Sequence, residues 1–203
     1  GIMATAAGDM AIPKGTWYGN IFVMLRQLLV FTKPITNQIF DGGVNLYCGM
    51  LAVLTMFLYL FVKEHPWKKF RKYVLLVLLV ISFNHGTLNY IWHGMHDQYG
   101  IPNRFSFVFI FVLLVMAYDA VQSITEIDIY FVISSTLLAG AFAFACKQQA
   151  GTTIGKYTLP ASLVLLVIYG VTCCLRTSKK ITHATYISVI GSVCLFELVA
   201  NAA

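Results

Sequence analysis

The stretch Tyr73–Phe107, YVLLVLLVISFNHGTLNYIWHGMHDQYGIPNRFSF, joins an apolar run to a polar segment and decides how the rest of the chain is read. Its first part, Tyr73–Phe83, carries no charged side chain. The remainder holds three of the five histidines, an aspartate and an arginine. Ionisable residues are costly in a bilayer and usually mark a site or a pathway there. The stretch therefore predicts a membrane helix that leads into a polar site.

The composition indicates an all-α integral membrane protein. Hydrophobic residues make up 59% of the 203 residues and charged residues 11%, against about 45–50% and about 25% in soluble domains. The formal net charge of +6 could suggest nucleic-acid binding. However, the basic residues cluster at the ends of apolar runs and do not alternate with aromatic residues that could stack on bases. We therefore expect no nucleic-acid partner.

The apolar blocks predict a bundle of about six transmembrane helices over residues 41–203. Each block approaches the roughly 20 residues that a helix needs to cross a bilayer. The second block is too short up to Phe83, so we expect its helix to continue to about Trp92. The predicted spans are about 44–62, 73–92, 105–121, 129–146, 157–175 and 181–199.

Lysine and arginine predict the orientation of these spans. Two loops that follow the first and fifth spans are rich in basic residues, and cytoplasmic loops carry such an excess. The histidine-rich segment, the N-terminal segment and the C-terminus are then external. The basic residues of the two loops are Lys63, Lys68, Lys69, Arg71 and Lys72, and Arg176, Lys179 and Lys180.

Residues 1–40 are predicted to form an external segment with an interfacial helix. The apolar core Ile21–Phe31 is too short to span and is interrupted by Arg26 and Gln27, as in helices that lie in the membrane surface. The alternative is a piece of an extramembrane domain. No signal peptide is visible in GIMATAAGDM, and we expect the chain to be a piece of a longer protein.

Small and sulfur-containing residues are predicted to serve packing. Two helical stripes of small residues would let neighbouring helices approach closely in lipid. The cysteines show no metal-binding spacing and read as small apolar residues, with a redox-active vicinal pair as the alternative. The stripes are Ser135, Ala139 and Ala143, and Ala184, Ser188 and Ser192; the cysteines are Cys48, Cys146, Cys173, Cys174 and Cys194.

A polar stripe is predicted on the second helix. His85, Asn89, His93 and His96 follow one another at steps of four, four and three, which places them within about an 80° arc of a continuous helix. These residues could form a substrate-binding face. Ordinary burial against neighbouring helices is the alternative for His85 and Asn89.

Arg104 is a candidate anion-binding residue. It stands at the predicted start of the third span, where a helix exposes backbone N–H groups and positive dipole. Its planar guanidinium suits phosphate; an arginine that reaches to lipid headgroups is the alternative. The pattern His93-x-x-His96-Asp97 also permits a divalent cation by ligand type, although no cofactor follows from it with certainty.

Other acidic residues are distributed over both predicted sides. Glu197 and Asn201 lie four residues apart near the external end of the sixth span and could reach the same site. Asp41 is another external acid. Three acids in the turn after the third span are expected to be solvated: Asp119, Glu126 and Asp128.

Several motifs resemble the core of the bacterial YfhO family of membrane proteins. They are WHG at Trp92–Gly94, PNRFSF at Pro102–Phe107 and AY at Ala117–Tyr118. NLYCG at Asn45–Gly49 and the Glu and Asn near the end of the last span fit as well. The resemblance extends over about residues 41–201 and is most specific around the third span.

The resemblance implies part of a multi-pass glycosyltransferase of the GT-C type in the bacterial cell membrane. Its donor would be a polyprenyl-phosphate-linked sugar, and its acceptor a cell-envelope polymer such as lipoteichoic acid on the outer face. The family's chains are several times longer, so the other partners would be membrane lipids and the remainder of the same chain. The catalytic acid of such enzymes is expected in a first external loop that would precede Gly1, and no catalytic residue is assigned.

The chemistry implied by the resemblance agrees with the polar residues. The departing phosphate needs cations or hydrogen-bond donors, which His93, His96 and Arg104 could supply. Deprotonation of the acceptor hydroxyl needs a carboxylate, and Asp97 could orient a histidine or act as that base. The alternatives are a transporter or lipid-carrier protein that binds an anion without chemistry, and a bundle with a purely structural role.

Overall fold

In the computed structural model, residues 15–34, 43–95, 103–150 and 155–202 are described. Every regular element in these ranges is a helix, which confirms the predicted all-α class. Short 3₁₀ turns extend three of the helices: Arg26–Leu28, Tyr59–Phe61 and Ile124–Glu126. The α-helices are α1 (Ile21–Leu25), α2 (Met50–Leu58), α3 (Pro66–Asn84), α4 (Gly86–Trp92), α5 (Ser106–Gln122), α6 (Ile129–Ala150), α7 (Thr158–Thr177) and α8 (His183–Ala202).

Among the described residues, three helices are long and apolar enough to cross a membrane: Ile129–Gln149, Thr158–Thr177 and His183–Ala202. The helical stretches Met50–Phe61 and Ser106–Gln122 are apolar but shorter. Helix α8 exposes large apolar side chains such as Phe196 and Leu195, a surface that fits contact with lipid. The helices therefore fit a membrane location, and the count of six crossings stays a prediction.

The first predicted span is only partly helical. Residues 43–49 form a non-helical segment without regular secondary structure, and α2 begins at Met50, six residues after the predicted start at Val44. Gly49 has a φ of +101°, which glycine adopts without the strain that a Cβ would cause. Non-helical backbone at membrane depth is tolerated where protein covers it, and Val44 and Leu46 are indeed buried.

The second predicted span breaks at His85, so the prediction of one continuous helix over 73–92 is wrong there. Helix α3 ends at Asn84, and His85 adopts extended angles (φ −123°, ψ 120°) before α4 begins. The indole Nε1 of Trp92 donates to Ser82 Oγ at 3.1 Å. Ten residues of straight helix would separate these positions by about 15 Å along the axis, so α4 bends back towards the end of α3.

The break is stabilised by the N-terminal segment. Tyr18 N donates to Asn84 O, and Gly86 N donates to Thr16 O, both at 2.9 Å. His85 caps α4, because its Nδ1 accepts from Leu88 N at 3.4 Å. Backbone groups that a continuous helix would pair internally are thus satisfied by another segment.

Residues 15–34 lie across one end of the bundle. Phe31 N donates to Asn201 Oδ1 at 2.6 Å, and Thr158 Oγ1 donates to Phe31 O at 3.2 Å. The expected interfacial helix is in fact a five-residue α-helix followed by a 3₁₀ turn, and Met24, Leu28, Leu29 and Val30 are buried in the bundle. A location at the membrane surface stays a prediction.

The basic loops lie at the opposite end of the bundle. Lys72 Nζ pairs with Asp119 Oδ2 at 2.8 Å and with Glu64 Oε2 at 3.4 Å, so Asp119 is ion-paired instead of simply solvated as expected. Thr177 Oγ1 donates to Ile124 O at 3.0 Å. The loops after the first and fifth predicted spans therefore share one end, as their common assignment requires.

The orientation can be tested by labelling from outside the cell with a membrane-impermeant thiol reagent. We expect a cysteine placed at exposed Met95 to react and one placed at exposed Lys68 to be protected, because the basic loops are predicted to be cytoplasmic. The native cysteines are first replaced by alanine, and detergent-solubilised protein serves as the control in which both positions react. The reverse pattern would overturn the orientation.

One of the two predicted small-residue stripes faces the protein. Ser135, Ala139 and Ala143 are fully buried on α6, which confirms that stripe. On α8 the stripe prediction is wrong, since Ala184, Ser188 and Ser192 are exposed and the buried face carries Tyr186, Ile190 and Glu197. All five cysteines are free thiols, in line with a packing role.

Candidate functional site

Glu197 on α8 is a buried carboxylate bound by three donors. Its Oε1 accepts from Met50 N and from the Tyr47 hydroxyl, both at 2.6 Å. Its Oε2 accepts from the Tyr169 hydroxyl at 2.7 Å. Only 1% of Glu197 is exposed, and among the described residues the ion pairs all involve Lys72. Neutral donors, and no described cation, therefore hold this carboxylate.

The position of Glu197 makes it the cap of helix α2. The first N–H groups of a helix lack partners within the helix and carry positive dipole. Gly49 precedes α2 and has no side chain to supply such a cap. Glu197 takes this role from a different helix, and it thereby ties the start of α2 to α7 and α8.

Two cavities adjoin Glu197. One, of about 340 Å³, lies between α7 and α8 beneath Val30 and Phe31. The other, of about 210 Å³, lies between α2, α5 and α8, with Cys48 and Cys194 in its wall. Glu197 is part of both walls, so the carboxylate and its donors separate the two spaces.

A second polar cluster holds the start of the non-helical segment 43–49. Asn103 Nδ2 donates to Gly43 O at 3.0 Å, and the amide of Asn89 donates to Asn103 Oδ1. Asn103 has a φ of +57°, a conformation in which asparagine is enriched. Residues 43–49 are thus fixed at one end by Asn103 and at the other, through Met50, by Glu197.

The motifs at Trp92–Gly94 and Pro102–Phe107 contact each other through Phe105. Its ring stacks on Trp92 with 5.1 Å between centroids, and the His93 ring lies 5.6 Å away, edge-on. His93 Nδ1 lies 2.8 Å from Asn89 O. Because a carbonyl accepts, Nδ1 carries the hydrogen in this contact.

Arg104 lies directly before this aromatic group. It is exposed, and α5 begins two residues later at Ser106. Ser106 N donates to Asn103 O in the turn that leads into the helix. Asn89 and His93 therefore lie against the two residues that flank Arg104, since Asn89 donates to Asn103 and the His93 ring contacts Phe105.

The other predicted site residues have different places. His85 lies at the helix break with its ring 4.9 Å from that of Trp17, so it does not continue the stripe of Asn89 and His93. The side-chain Oδ1 of Asn201 accepts a hydrogen bond from Phe31 N. His96, Asp97 and Asp41 lie outside the described residues. Within the described ranges, no group of three His, Cys, Asp or Glu residues could hold a metal ion.

Sequence reasoning did not select three residues that organise these clusters. Asn103 could have been found, because it directly precedes Arg104 in the PNRFSF motif. Tyr47 belongs to the NLYCG motif but was not assigned to the site. Tyr169 stands in an ordinary apolar stretch, and no sequence signal distinguishes it.

Comparison with protein families connects these motifs to known proteins. Residues 14–203 match the family described as bacterial membrane protein YfhO. The chain belongs to the YfhO family. The match includes all described residues of both polar clusters, and it establishes the chain as a membrane protein of this family. No curated protein and no solved structure matches the chain significantly.

Proposed function

We propose that this YfhO-family chain is part of a glycosyltransferase of the bacterial cell membrane. The enzyme would move a sugar from a polyprenyl-phosphate donor to a cell-envelope polymer, such as lipoteichoic acid, on the outer face. The observation that carries the proposal is exposed Arg104 at the start of α5, next to the Phe105 ring that contacts His93. This arrangement supports recognition of a phosphate at a membrane surface.

The proposed role of Arg104 is to bind the donor phosphate and to stabilise it as it departs. Charge-assisted donors aimed at developing negative charge contribute strongly to transfer reactions, and a guanidinium can grip two phosphate oxygens together. His93 would support the site by packing edge-on against the Phe105 ring, with 5.6 Å between centroids. The contact of its Nδ1 with Asn89 O fixes the orientation of the ring.

The base for the acceptor hydroxyl is not assigned to a described residue. Such a step needs a carboxylate within hydrogen-bond reach of the hydroxyl. Glu197 is occupied by three protein donors, which favours a structural role for it. As the resemblance implies, we expect the catalytic acid in a first external loop, and Asp97 stays a weaker candidate.

Arg104 variants in the full-length protein test the proposal. Arg104→Ala removes a charge-assisted contact worth about 1.5–3 kcal/mol, so we expect a loss of roughly tenfold to a hundredfold in donor binding or rate. Arg104→Lys keeps the charge but loses the planar fork, and we expect a clear loss there too. The measurement is transfer of radiolabelled sugar from a polyprenyl-phosphate donor in reconstituted vesicles.

The control is Lys156→Ala, which removes an exposed cation on the same predicted side. It should transfer sugar at the parental rate. If Arg104→Ala folds, inserts normally and also retains the parental rate, Arg104 serves only as a headgroup anchor and the proposal loses its main support.

A transporter or lipid-carrier protein is the second candidate. This candidate is favoured because α2 begins only at Met50, after the non-helical segment 43–49. The N-terminus of α2 is capped by Glu197. Discontinuous helices of this kind form substrate sites in secondary transporters. Retention of the radiolabelled sugar on its lipid, combined with its movement across the vesicle membrane, would favour this candidate over the transferase.

A further inference from the structure

A shallow groove lies at the end of the bundle opposite the candidate site. It has a volume of about 370 Å³ and is lined by Lys68, Arg71, Lys72 and Leu75. All four residues belong to α3, at a spacing that places them on one helix face. The groove is therefore basic along the first turns of α3 and apolar at Leu75.

Two of the three cations in the groove are not neutralised by described residues. Lys72 is paired with Asp119 and Glu64. The side-chain ammonium of Lys68 makes no hydrogen bond or ion pair with the described part of the chain, and the Arg71 guanidinium donates there only through Nε, to Trp67 O at 3.3 Å. The terminal nitrogens of Arg71 and the ammonium of Lys68, both on exposed residues, can thus face an external anion.

The surface beside these cations is apolar. Trp67 and Phe70 are 66% and 57% exposed and contact each other edge-on at 5.7 Å between centroids. Farther along the same side of α3, Leu75 lines the groove and Leu78 is exposed. Aromatic residues at this level and basic residues next to an apolar helix are typical of the boundary between headgroups and hydrocarbon.

We propose that this groove binds an anionic phospholipid, with the phosphate at Lys68 and Arg71 and the acyl chains along Leu75 and Leu78. The two parts of the surface together select this ligand. A soluble phosphate would use the cations but not the exposed apolar stripe, whereas a neutral lipid would use the stripe but not the cations. The proposal does not depend on sugar transfer or on the role of Arg104.

The test is lipid binding to the purified full-length protein in neutral detergent. Dioleoylphosphatidylglycerol and dioleoylphosphatidylcholine are titrated separately, and bound lipid is counted by native mass spectrometry. A basic residue near an anionic headgroup contributes about fivefold in affinity. We therefore expect the double variant K68Q/R71Q to bind phosphatidylglycerol roughly 25-fold more weakly, with little change for phosphatidylcholine.

Two further variants make the result specific. K179Q/K180Q removes two exposed cations from the other basic turn at the same end of the bundle and should bind phosphatidylglycerol as the parent does. K68R/R71K exchanges the two cations and should retain most of the affinity. This second variant separates loss of charge from any loss of fold, which circular dichroism checks in parallel.

Three outcomes would overturn the proposal. The parent could bind both lipids equally, or K179Q/K180Q could lose as much affinity as K68Q/R71Q, which would indicate general surface charge. Alternatively, glycerol 1-phosphate could displace the lipid at similar concentration, which would indicate a site for soluble phosphate.

Discussion

Glu197→Ala is expected to lower the free energy of unfolding by at least about 3 kcal/mol. The substitution leaves buried Met50 N and the half-buried Tyr47 hydroxyl without their acceptor, and it leaves the Tyr169 hydroxyl with only Cys194 Sγ. Each unsatisfied buried donor costs about 1–3 kcal/mol. The measurement is reversible unfolding by sodium dodecyl sulfate in mixed micelles, followed by circular dichroism.

Glu197→Gln should have a smaller effect, of about 1–2 kcal/mol. The amide oxygen can still accept from Met50 N and Tyr47, but the amide NH₂ then meets the Tyr169 hydroxyl, which must turn towards Cys194 Sγ at 3.2 Å. Glu126→Ala is the control, because Glu126 is exposed and such substitutions usually stay within about 0.5 kcal/mol. Equal stability of Glu197→Ala and the parent would show that the carboxylate does not hold α2.

The consequence of losing Glu197 should extend to the candidate site. Glu197 holds the end of the non-helical segment 43–49 through Met50 N, and Asn103 holds its start through Gly43 O. Asn103 directly precedes Arg104. The buried carboxylate therefore supports the proposed anion-binding residues through the backbone that joins the two clusters, although it is not itself exposed to a ligand.

The later helices could be predicted from the sequence with good accuracy. The predicted spans 105–121, 157–175 and 181–199 correspond to helices Ser106–Gln122, Thr158–Thr177 and His183–Ala202. Each is a largely apolar block bounded by polar residues, and a helix satisfies its backbone groups from within the block itself. Local sequence is sufficient in such cases.

The first two predicted spans differ because distant residues determine where their helices begin and end. Met50 N is capped by Glu197, which lies 147 residues away in the chain. The break at His85 is paired with Thr16 and Tyr18. Hydrophobic periodicity contains no information on such contacts, so the sequence predicted longer helices than those observed.

The contrast between local sequence and distant contacts also explains how much of the candidate site could be predicted. The contact of His93 with Phe105, the residue after Arg104, joins two motifs that lie near each other in the chain, so it could be expected from the sequence. The single polar stripe required a continuous helix. Once the helix breaks at His85, that residue contacts Trp17 while Asn89 and His93 face the start of α5.

Gly170→Val is expected to lower the free energy of unfolding by about 3 kcal/mol, at the upper end of the range for overpacked cores. A Cβ at this position on α7 would lie 2.6 Å from Oγ1 and 2.9 Å from Cγ2 of Thr136 on α6. Thr136 cannot rotate away cheaply, because it is β-branched and its Oγ1 donates to Val132 O at 2.9 Å. The two helices would have to separate.

Gly191→Val is the matched control for this substitution. Gly191 is also a helical glycine, on α8, but a Cβ there would meet no atom within 4 Å. The free energy of unfolding of this variant should therefore change by only about 0.5 kcal/mol. Both variants are compared with the parent by the same detergent unfolding measurement. Similar stability of the two would mean that α6 and α7 are not in close contact at Gly170, and the packing that aligns the three long apolar helices would need a different explanation.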